Sequence, residues 1–305
     1  MEWARVFSVL TDPILPVFAI AAIGFAMGRG GLVSQADARS INRVAVLLFL
    51  PVMMFDIASS APLSRFSPQA VAVYVGSEAT IFALGYLLAT RVFRRTRRES
   101  VLLAFSGIFA NNAMYILPIG VLIYGQENVL PLTTVVATDA TIAFGITTLV
   151  MQVLATGGAR PSAILVSIAR TPILIGIAAG LLVNLAGLPI PGPVQSFVGF
   201  NGSAAAPIAL FALGVVLAET SLKPDALVGT FTTFKVLLFP AAVWAGFATF
   251  APDAPQAAMY VLAASGPSGA MAVTLGLHYG VETRTILQVI VWTGLITLLS
   301  IAALA

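Results

Sequence analysis

The architecture of this chain can be inferred from two interrupted apolar segments, FANNAMYILPIGVLIYGQE (Phe109–Glu127) and AASGPSGAMAVTLGLHYGVE (Ala263–Glu282). The first is interrupted near its middle by Asn-Asn and by Pro118, and the second by the pair Gly266-Pro267. Both end in the pattern Tyr-Gly-x-Glu, and they occupy matching places in the two halves of the chain. Interrupted helices at corresponding positions of two halves are typical of transporters, whose binding sites they form.

The composition indicates a membrane protein. Of the 305 residues, 59% are hydrophobic and only 9% are charged, and the mean hydropathy is +1.01. Soluble domains carry about 25% charged residues, so this chain has too little charge for a soluble surface. Several apolar stretches exceed about 18 residues, the length at which a membrane-spanning helix is the expected structure.

Other functional classes find little support in the sequence. There is no cysteine and a single histidine, His278, so disulfides and thiolate metal sites are excluded and a histidine-based zinc site is not expected. We find no phosphate-binding loop, dinucleotide fingerprint or nucleophile–histidine–acid set, and therefore predict no enzyme activity and no organic cofactor. The basic residues lie in loops between apolar runs, which is a membrane pattern rather than a nucleic-acid interface.

The apolar stretches predict an all-α membrane protein with ten transmembrane helices and short loops. Their approximate ranges are 12–28, 41–60, 69–93, 101–124, 129–155, 162–186, 203–220, 226–250, 256–279 and 284–304. Twelve lysine and arginine residues fall in one set of loops, and only Arg5 and Arg65 fall in the other. The richer side is predicted to be cytoplasmic, with both termini on the opposite side. The run Arg91–Glu99 is interpreted as a topology determinant rather than a lipid-headgroup site.

The two halves of the chain match at offsets of 155 to 159 residues. The matches are Pro13–Leu15 with Pro172–Leu174, Pro51 with Pro207, Phe55 with Phe211, and the two Tyr-Gly-x-Glu ends. Five spans separate corresponding elements, so the second half enters the membrane from the opposite face. We therefore predict a 5+5 inverted repeat with domains 1–155 and 156–305, whose broken spans four and nine meet near the bilayer midplane.

The helix breaks form the predicted substrate site. Asn111 or Asn112 is expected to cap the second half of span four. Ser265 or Gly266 would cap that of span nine, with Pro267 as its first helical residue. Such half-helix starts present free backbone N–H groups and a positive dipole end, which favour an anion, unless the breaks are kinks that only shape packing. The predicted substrate-binding residues are Asn111, Asn112, Ser265, Gly266, Pro267, Ser268 and Asp56.

Four charged residues, Asp56, Glu78, Asp139 and Lys235, lie inside predicted spans. Each costs about 2.5–3.5 kcal/mol at a helix centre, which makes each a functional candidate. Asp139 is predicted to carry a coupling ion or proton, because burial favours the neutral acid, or else to pair structurally with Lys235. Glu78 is a second coupling candidate or a helix-packing contact. Asp56 either faces the cavity or approaches the membrane interface.

The chain resembles the auxin efflux carrier family, which includes plant exporters and bacterial members described as malonate or malate transporters. The resemblance is carried by the opening stretch Asp12–Phe55, by ANNAMYILPI and by SGPSGAMAVTLGLHYG, and it covers essentially the whole chain. It implies a fold similar to bile-acid symporters and sodium/proton antiporters, with spans four and nine crossing at their breaks. Spans one, two, six and seven would form a scaffold, along which the remaining spans move like an elevator. The crossover would fall on Asn111, Asn112, Gly266 and Pro267.

We therefore predict a secondary transporter that exports small organic anions, such as mono- or dicarboxylates, across the bacterial inner membrane. Auxin itself is not expected as substrate, because the long cytoplasmic loop and the Asn-Pro break of plant members are absent. The expected partners are the anion, membrane lipid, a coupling Na⁺ or H⁺, and a second copy of the chain in a homodimer. The alternatives are a cation/proton antiporter on the same scaffold, and a membrane receptor that binds a ligand without moving it.

Overall fold

The computed structural model describes residues 19–125, 128–157, 162, 166, 169–219, 221 and 223–304. The predicted features at Pro13–Leu15 and Glu127, together with Arg5, the first residues of span one and residues 163–165, 167 and 168 of span six, lie outside these ranges. The described part is helical, and its only β pairing is one isolated bridge between two residues. The all-helical prediction is confirmed for these residues.

The described residues form helices of very different lengths. Their bounds are α1 Ala19–Arg29, α2 Gln35–Ser60, α3 Pro68–Arg91, α4 Arg97–Ile108, α5 residues 112–124, α6 Leu130–Ala155, α7 Pro172–Leu185, α8 Gly192–Leu217, α9 Ala226–Phe250, α10 Ala257–Ala264, α11 Met271–Tyr279 and α12 Arg284–Leu304. Five of them, α2, α3, α6, α8 and α9, are long and apolar enough to cross a membrane. Predicted spans four and nine are each divided into two short helices.

Helix α8 begins earlier than the sequence pattern predicted. The prediction placed span seven at 203–220, whereas the helix starts at Gly192, directly after Pro191, and has Pro193 in its first turn. Proline is favoured in a first turn, where its missing N–H needs no partner. Residues 192–202 include glycine, glutamine and asparagine, and their lower hydropathy hid this part of the helix from the sequence argument.

The two interrupted segments cross each other. Ala110 and Ser268 form an antiparallel bridge between the chain leaving α4 and the chain entering α11. The N–H of Asn111 donates to the carbonyl of Pro267, and the N–H of Gly269 donates to that of Phe109, both at 2.9 Å. Each break thus satisfies backbone groups of the other, which matters because unpaired backbone groups in a lipid environment cost several kcal/mol.

The second break differs from the prediction in detail. Pro267 is not the first residue of a helix, because α11 begins only after its cap residue Ala270, and Pro267 lies in the extended crossing segment. Ser265 ends α10 instead of starting α11, so the predicted capping by Ser265 or Gly266 is wrong. The reason is tertiary: pairing with the other break keeps these residues extended.

The first break also lies elsewhere than Pro118 suggested. The interruption falls at Phe109–Asn111, and Pro118 lies inside α5, two residues after a π-helical turn, Asn112–Ile116. Two other π turns are also followed by a proline at the same distance, Ala45–Phe49 by Pro51 and Phe234–Leu238 by Pro240. A wider turn accommodates a residue that has no N–H and clashes with the preceding turn.

The helices pack in two groups. Helix α2 packs along α7 and α8, and α1 contacts α8 where Gly24 touches the backbone of Phe211. In the second group α3 packs against α4 and α9, and α9 packs against α10 and α12. Helices α6 and α11 contact both groups. In the first group α6 touches α2 and α7, and α11 touches α2 and α8; in the second group both touch α4. The crossing of the breaks lies beside this boundary.

Candidate functional site

A small cavity lies where the crossing faces α2 and α8. Its volume is about 90 Å³. Both helices that follow the breaks contribute their first residues to its wall, together with α2, α6 and α8. These wall residues include Asn111, Asn112 and Ala113 before and in α5, Gly269, Ala270 and Met271 before and in α11, Met53, Met54 and Ile57 of α2, Asp139 of α6, and Ala206 and Ala209 of α8.

The starts of α5 and α11 give this cavity a positive electrostatic character. The first N–H groups of a helix have no partner within the helix, and the helix dipole adds a partial positive charge there. Neither start is capped by a side chain, since the cap residues Asn111 and Ala270 make no capping hydrogen bond. Two uncapped helix starts beside one cavity are suited to a carboxylate or another anion.

Asn112 and Asp139 connect the cavity wall to α6. The Nδ2 of Asn112 donates a hydrogen bond of 2.8 Å to Oδ2 of Asp139, and both side chains are almost fully buried. Within the described residues, the Oδ1 atoms of both side chains have no hydrogen-bond partner. Asn112 begins one π turn and Asp139 begins another, at Asp139–Ala143. Such turns widen a helix locally and are frequent at functional sites.

Two further buried polar side chains lie behind Asp139. The hydroxyl of Tyr74 interacts electrostatically with Asn112 and Asp139, and the carboxyl of Glu78 interacts with Asp139. Neither the Tyr74 hydroxyl nor Oε1 of Glu78 makes a hydrogen bond with another described residue. The structure thus brings the two predicted coupling residues, Glu78 and Asp139, into one cluster, of which Asp139 alone lines the cavity.

Lys235 of α9 is fully buried in the same region. Its Nζ donates a hydrogen bond of 2.8 Å to the carbonyl of Ala264, the last residue of α10, and lies 4.8 Å from the centre of the Phe239 ring. Lys235 also interacts electrostatically with Asp139 and Glu78. The direct partner of Lys235 is therefore a helix-end carbonyl rather than Asp139, whose own direct partner is Asn112.

The remaining predicted break residues face protein rather than the cavity. Ser265 donates its hydroxyl to Val261 within α10, and a side chain at Gly266 would meet Ile116. Ser268 is buried, and its hydroxyl donates to the carbonyl of Ser106 at 2.8 Å. These residues hold the crossing together, while Asn111 and Asn112 reach the cavity wall.

Asp56 is half-buried on α2 and does not line the cavity. Its neighbours Met53, Met54 and Ile57 do so. At 3.6 residues per turn, Asp56 is rotated by roughly 100° from the middle of the face that these three share. Its backbone carbonyl accepts the hydroxyls of Ser59 and Ser60. The structure therefore does not bring Asp56 together with the other predicted substrate-binding residues.

The residues that start α11 were not predicted to line the site. Gly269, Ala270 and Met271 line the cavity, whereas the argument had placed the helix start at Gly266-Pro267. These side chains are small or apolar and contribute mainly backbone, so side-chain chemistry offered no signal. The repeat register was the available clue, because Gly269 and Ala270 lie at offsets of 157 from Asn112 and Ala113, within the observed range.

A larger crevice, of about 650 Å³, opens at one end of α2. It is lined by Arg39 and Arg284 together with Glu219 and Glu282, so charges of both signs face it. No residue of either break contributes to it. For these reasons the smaller cavity at the crossing is the better candidate for anion recognition.

Comparison with known proteins shows the family to which the chain belongs. A family model described as membrane transport protein matches residues 9–304. The chain belongs to this membrane transport protein family. The match confirms the resemblance to auxin efflux carriers drawn from the sequence, and the protein is accordingly a membrane transporter with several apolar helices.

Three relatives cover most of the chain. A protein of Rhizobium meliloti (strain 1021), named "Putative malonate transporter", is 26% identical over 315 residues, which cover 97% of each chain. An "Uncharacterized transporter" of Methanothermobacter thermautotrophicus is 23% identical, also over 97% of each chain. The "Uncharacterized transporter YfdV" of Escherichia coli (strain K12) is 24% identical over 89% of each chain. All three relatives are transporters by name.

Proposed function

We propose that this family member is a secondary transporter of small organic anions, which it binds at the crossing of its two broken helices. The observation that carries the proposal is the pair of uncapped helix starts, at Asn111–Asn112 and Ala270–Met271, beside one cavity. In a low-dielectric setting, backbone N–H groups and helix dipoles offer a carboxylate hydrogen bonds and favourable electrostatics. The remaining N–H of the Asn112 amide can add a further donor.

The size of the cavity favours a small carboxylate. Its volume of about 90 Å³ is smaller than the roughly 150 Å³ of an engineered cavity that binds benzene. An aromatic acid would therefore need more room, whereas a mono- or dicarboxylate of few atoms fits better. The name of the Rhizobium meliloti relative points in the same direction, towards malonate or a similar dicarboxylate.

The proposal includes ten spans arranged as a 5+5 inverted repeat, with domains 1–155 and 156–305. Close helix contacts at an offset of 156 residues support it. Gly24 packs on the backbone of Phe211, and Gly180 packs on that of Phe55, so each member of one contact lies 156 residues from a member of the other. The glycine of each half thus contacts the phenylalanine of the other half. Two inverted repeats that pack against each other would make such a symmetric pair of contacts.

The hydrogen bonds near the crossing follow a similar relation. Asn112 donates to Asp139, and the backbone N–H of Ser268 donates to the hydroxyl of Thr293 at 3.1 Å. Ser268 lies 156 residues after Asn112, and Thr293 lies 154 residues after Asp139. In both halves, a residue beside the break is thus tied to the next long helix, which is the relation expected of two repeats.

We further propose elevator-type alternating access. The group of α1, α2, α7 and α8 would remain fixed, while the other helices carry the crossing and its bound anion along it. The packing into two groups supports this division, and the cavity lies between the crossing on one side and α2 and α8 on the other. Relative sliding of the two groups would expose the anion to either face of the membrane in turn.

In this proposal Asp139 and Glu78 hold the coupling proton or cation. Asp139 lines the cavity and Glu78 lies behind it, so a charge change at this cluster would be felt by an anion bound at Asn112. The arginine-rich loops would lie in the cytoplasm of a bacterial cell, with the protein in its inner membrane and both termini on the other side. A homodimer through the fixed group would match related folds.

The experiment that tests the function is charge movement on a solid-supported membrane. Proteoliposomes of the full chain receive concentration jumps of malonate, malate, succinate or indole-3-acetate in turn. A saturable current with a small dicarboxylate, and none with indole-3-acetate, is the expected result. The absence of a current with all four anions would contradict the proposal.

A cation/proton antiporter on the same scaffold is the second candidate. The observation in its favour is the buried cluster of Glu78, Asp139 and Lys235, since buried ionisable residues often form ion pathways. An antiporter would collapse a preset pH gradient when Na⁺ or K⁺ is added without any organic anion. Such a collapse of the pH gradient, combined with the absence of any anion-induced current, would favour this second function.

A further inference from the structure

The position of Lys235 resembles that of a bound cation. Its side chain is fully buried, and its Nζ contacts the carbonyl of Ala264 at the end of α10, where the helix dipole is negative. The centre of the Phe239 ring lies 4.8 Å from the Nζ atom. Carbonyls at the end of a half-helix are groups that transporters use to coordinate Na⁺.

Lys235 is connected with the anion cavity by two routes. Along the chain, Ala264 is followed within three residues by Pro267, whose carbonyl accepts the N–H of Asn111 at 2.9 Å. Through space, Lys235 interacts electrostatically with Asp139, which accepts the amide of Asn112 at 2.8 Å. Both routes end at residues of the cavity wall, so a positive charge at this position bears directly on anion binding.

We infer that the ammonium group of Lys235 is a built-in substitute for a coupling sodium ion, so that this protein binds its organic anion without Na⁺. The anion binds on the side of the helix starts, and Lys235 places its positive charge on the side of the α10 end, against the carbonyl of Ala264. A carrier that took this charge from solution would need Na⁺ for each anion bound. Here the charge is covalently attached to α9.

The first test measures sodium binding directly and does not depend on transport. The thermal unfolding midpoint of the purified full chain is compared in sodium chloride and in choline chloride at equal ionic strength. A ligand that binds only the folded state raises stability by RT ln(1 + [L]/Kd). We expect the same midpoint in both salts for the wild type. Stabilisation of the wild type by Na⁺ would overturn the inference.

The second test rests on the proposed anion-transport function. Malonate uptake by the wild type should be equal in choline and sodium, whereas Lys235→Gln should lose at least tenfold in choline and recover in part with Na⁺. Thr232→Val, a buried neutral change one turn earlier on α9, is the matched control and should stay independent of sodium. Uptake by Lys235→Gln at the wild-type level in choline would overturn the inference.

The two measurements separate the two ways of failing. If the wild type moves none of the anions, the proposed function fails, while the unfolding midpoints still report on the sodium site. If Lys235→Gln does not fold, the wild-type comparison in the two salts remains decisive, and Lys235→Arg, which keeps the positive charge, should retain uptake without sodium.

Discussion

Asn112 and Asp139 are joined by a buried hydrogen bond of 2.8 Å between two helices, although 27 positions separate them in the sequence. One residue starts the helix after the first break, and the other starts a π turn in α6. Each keeps a buried oxygen without a hydrogen-bond partner among the described residues. The bond therefore ties the wall of the proposed anion site to the proposed coupling residue.

Substitution of Asn112 by alanine should weaken anion binding. The change removes a donor at the cavity and the partner of a buried carboxylate, and hydrogen bonds to charged groups are worth about 1.5–3 kcal/mol. We expect the half-saturating anion concentration to rise at least about tenfold, measured by charge movement. Asn184→Ala is the matched control, since that amide donates to Ala58 and Ala61 away from the cavity. Unchanged kinetics in a folded Asn112→Ala variant would contradict the site.

Substitution of Asp139 by asparagine should uncouple transport without unfolding the protein. The amide oxygen can still accept from Asn112, but the side chain no longer exchanges a proton or balances a cation. We expect anion exchange across the membrane to continue while accumulation driven by a pH gradient is lost. Asp225→Asn should leave both activities intact, because that side chain caps the start of α9 at the surface. Normal driven accumulation by Asp139→Asn would exclude Asp139 as the coupling residue.

A larger side chain in the cavity wall should block transport. Ala209 of α8 is buried and lines the cavity, whose volume of about 90 Å³ leaves little room for a larger side chain together with an anion. We expect Ala209→Leu to reduce the maximal anion current at least about tenfold. Ala79→Leu, on an exposed face of α3, serves as the control and should transport normally. Wild-type currents from the Ala209 variant would place the anion path elsewhere.

The contact between α2 and α7 should be sensitive to a single methyl group. A Cβ at Gly180 would lie 2.6 Å from the carbonyl oxygen of Phe55 and 2.8 Å from the Cβ of Ala58. Overpacking of this kind costs about 1–3 kcal/mol, so Gly180→Ala should lower the thermal unfolding midpoint. Gly199→Ala, on the exposed part of α8 with no atom within 4 Å of the new methyl, should be neutral or slightly stabilising. Equal midpoints for the two variants would argue against close packing at Gly180.

Much of the site could be predicted from residue types and spacing. Asn111 and Asn112 were predicted to lie at the substrate site, and the structure places both at the cavity wall. Asp139 and Glu78 were each predicted as candidate coupling residues, and the structure brings their carboxyl groups into one cluster. Such polar residues are conspicuous in apolar spans because burying them is costly, so their presence in the sequence already indicates a special environment.

The roles of the residues around Pro267 could not be predicted in the same way. Helix propensity favours proline in a first turn and serine before it, and this local rule placed the start of α11 too early. The opposite break, more than 150 positions away in the sequence, pairs with this segment and keeps it extended. A local preference of about 1 kcal/mol yields to backbone pairing where an unpaired group costs several.

The amino-acid sequence alone established the membrane environment, the helical class and the two interrupted segments, because hydropathy, charge distribution and helix-breaking residues are local properties of the chain. The tertiary structure was needed to place Lys235 on the carbonyl of Ala264 and to separate Asp56 from the cavity. These facts depend on which helices pack together and on which face of each helix meets its neighbour. Long-range contacts between helices, rather than local pattern, determine both.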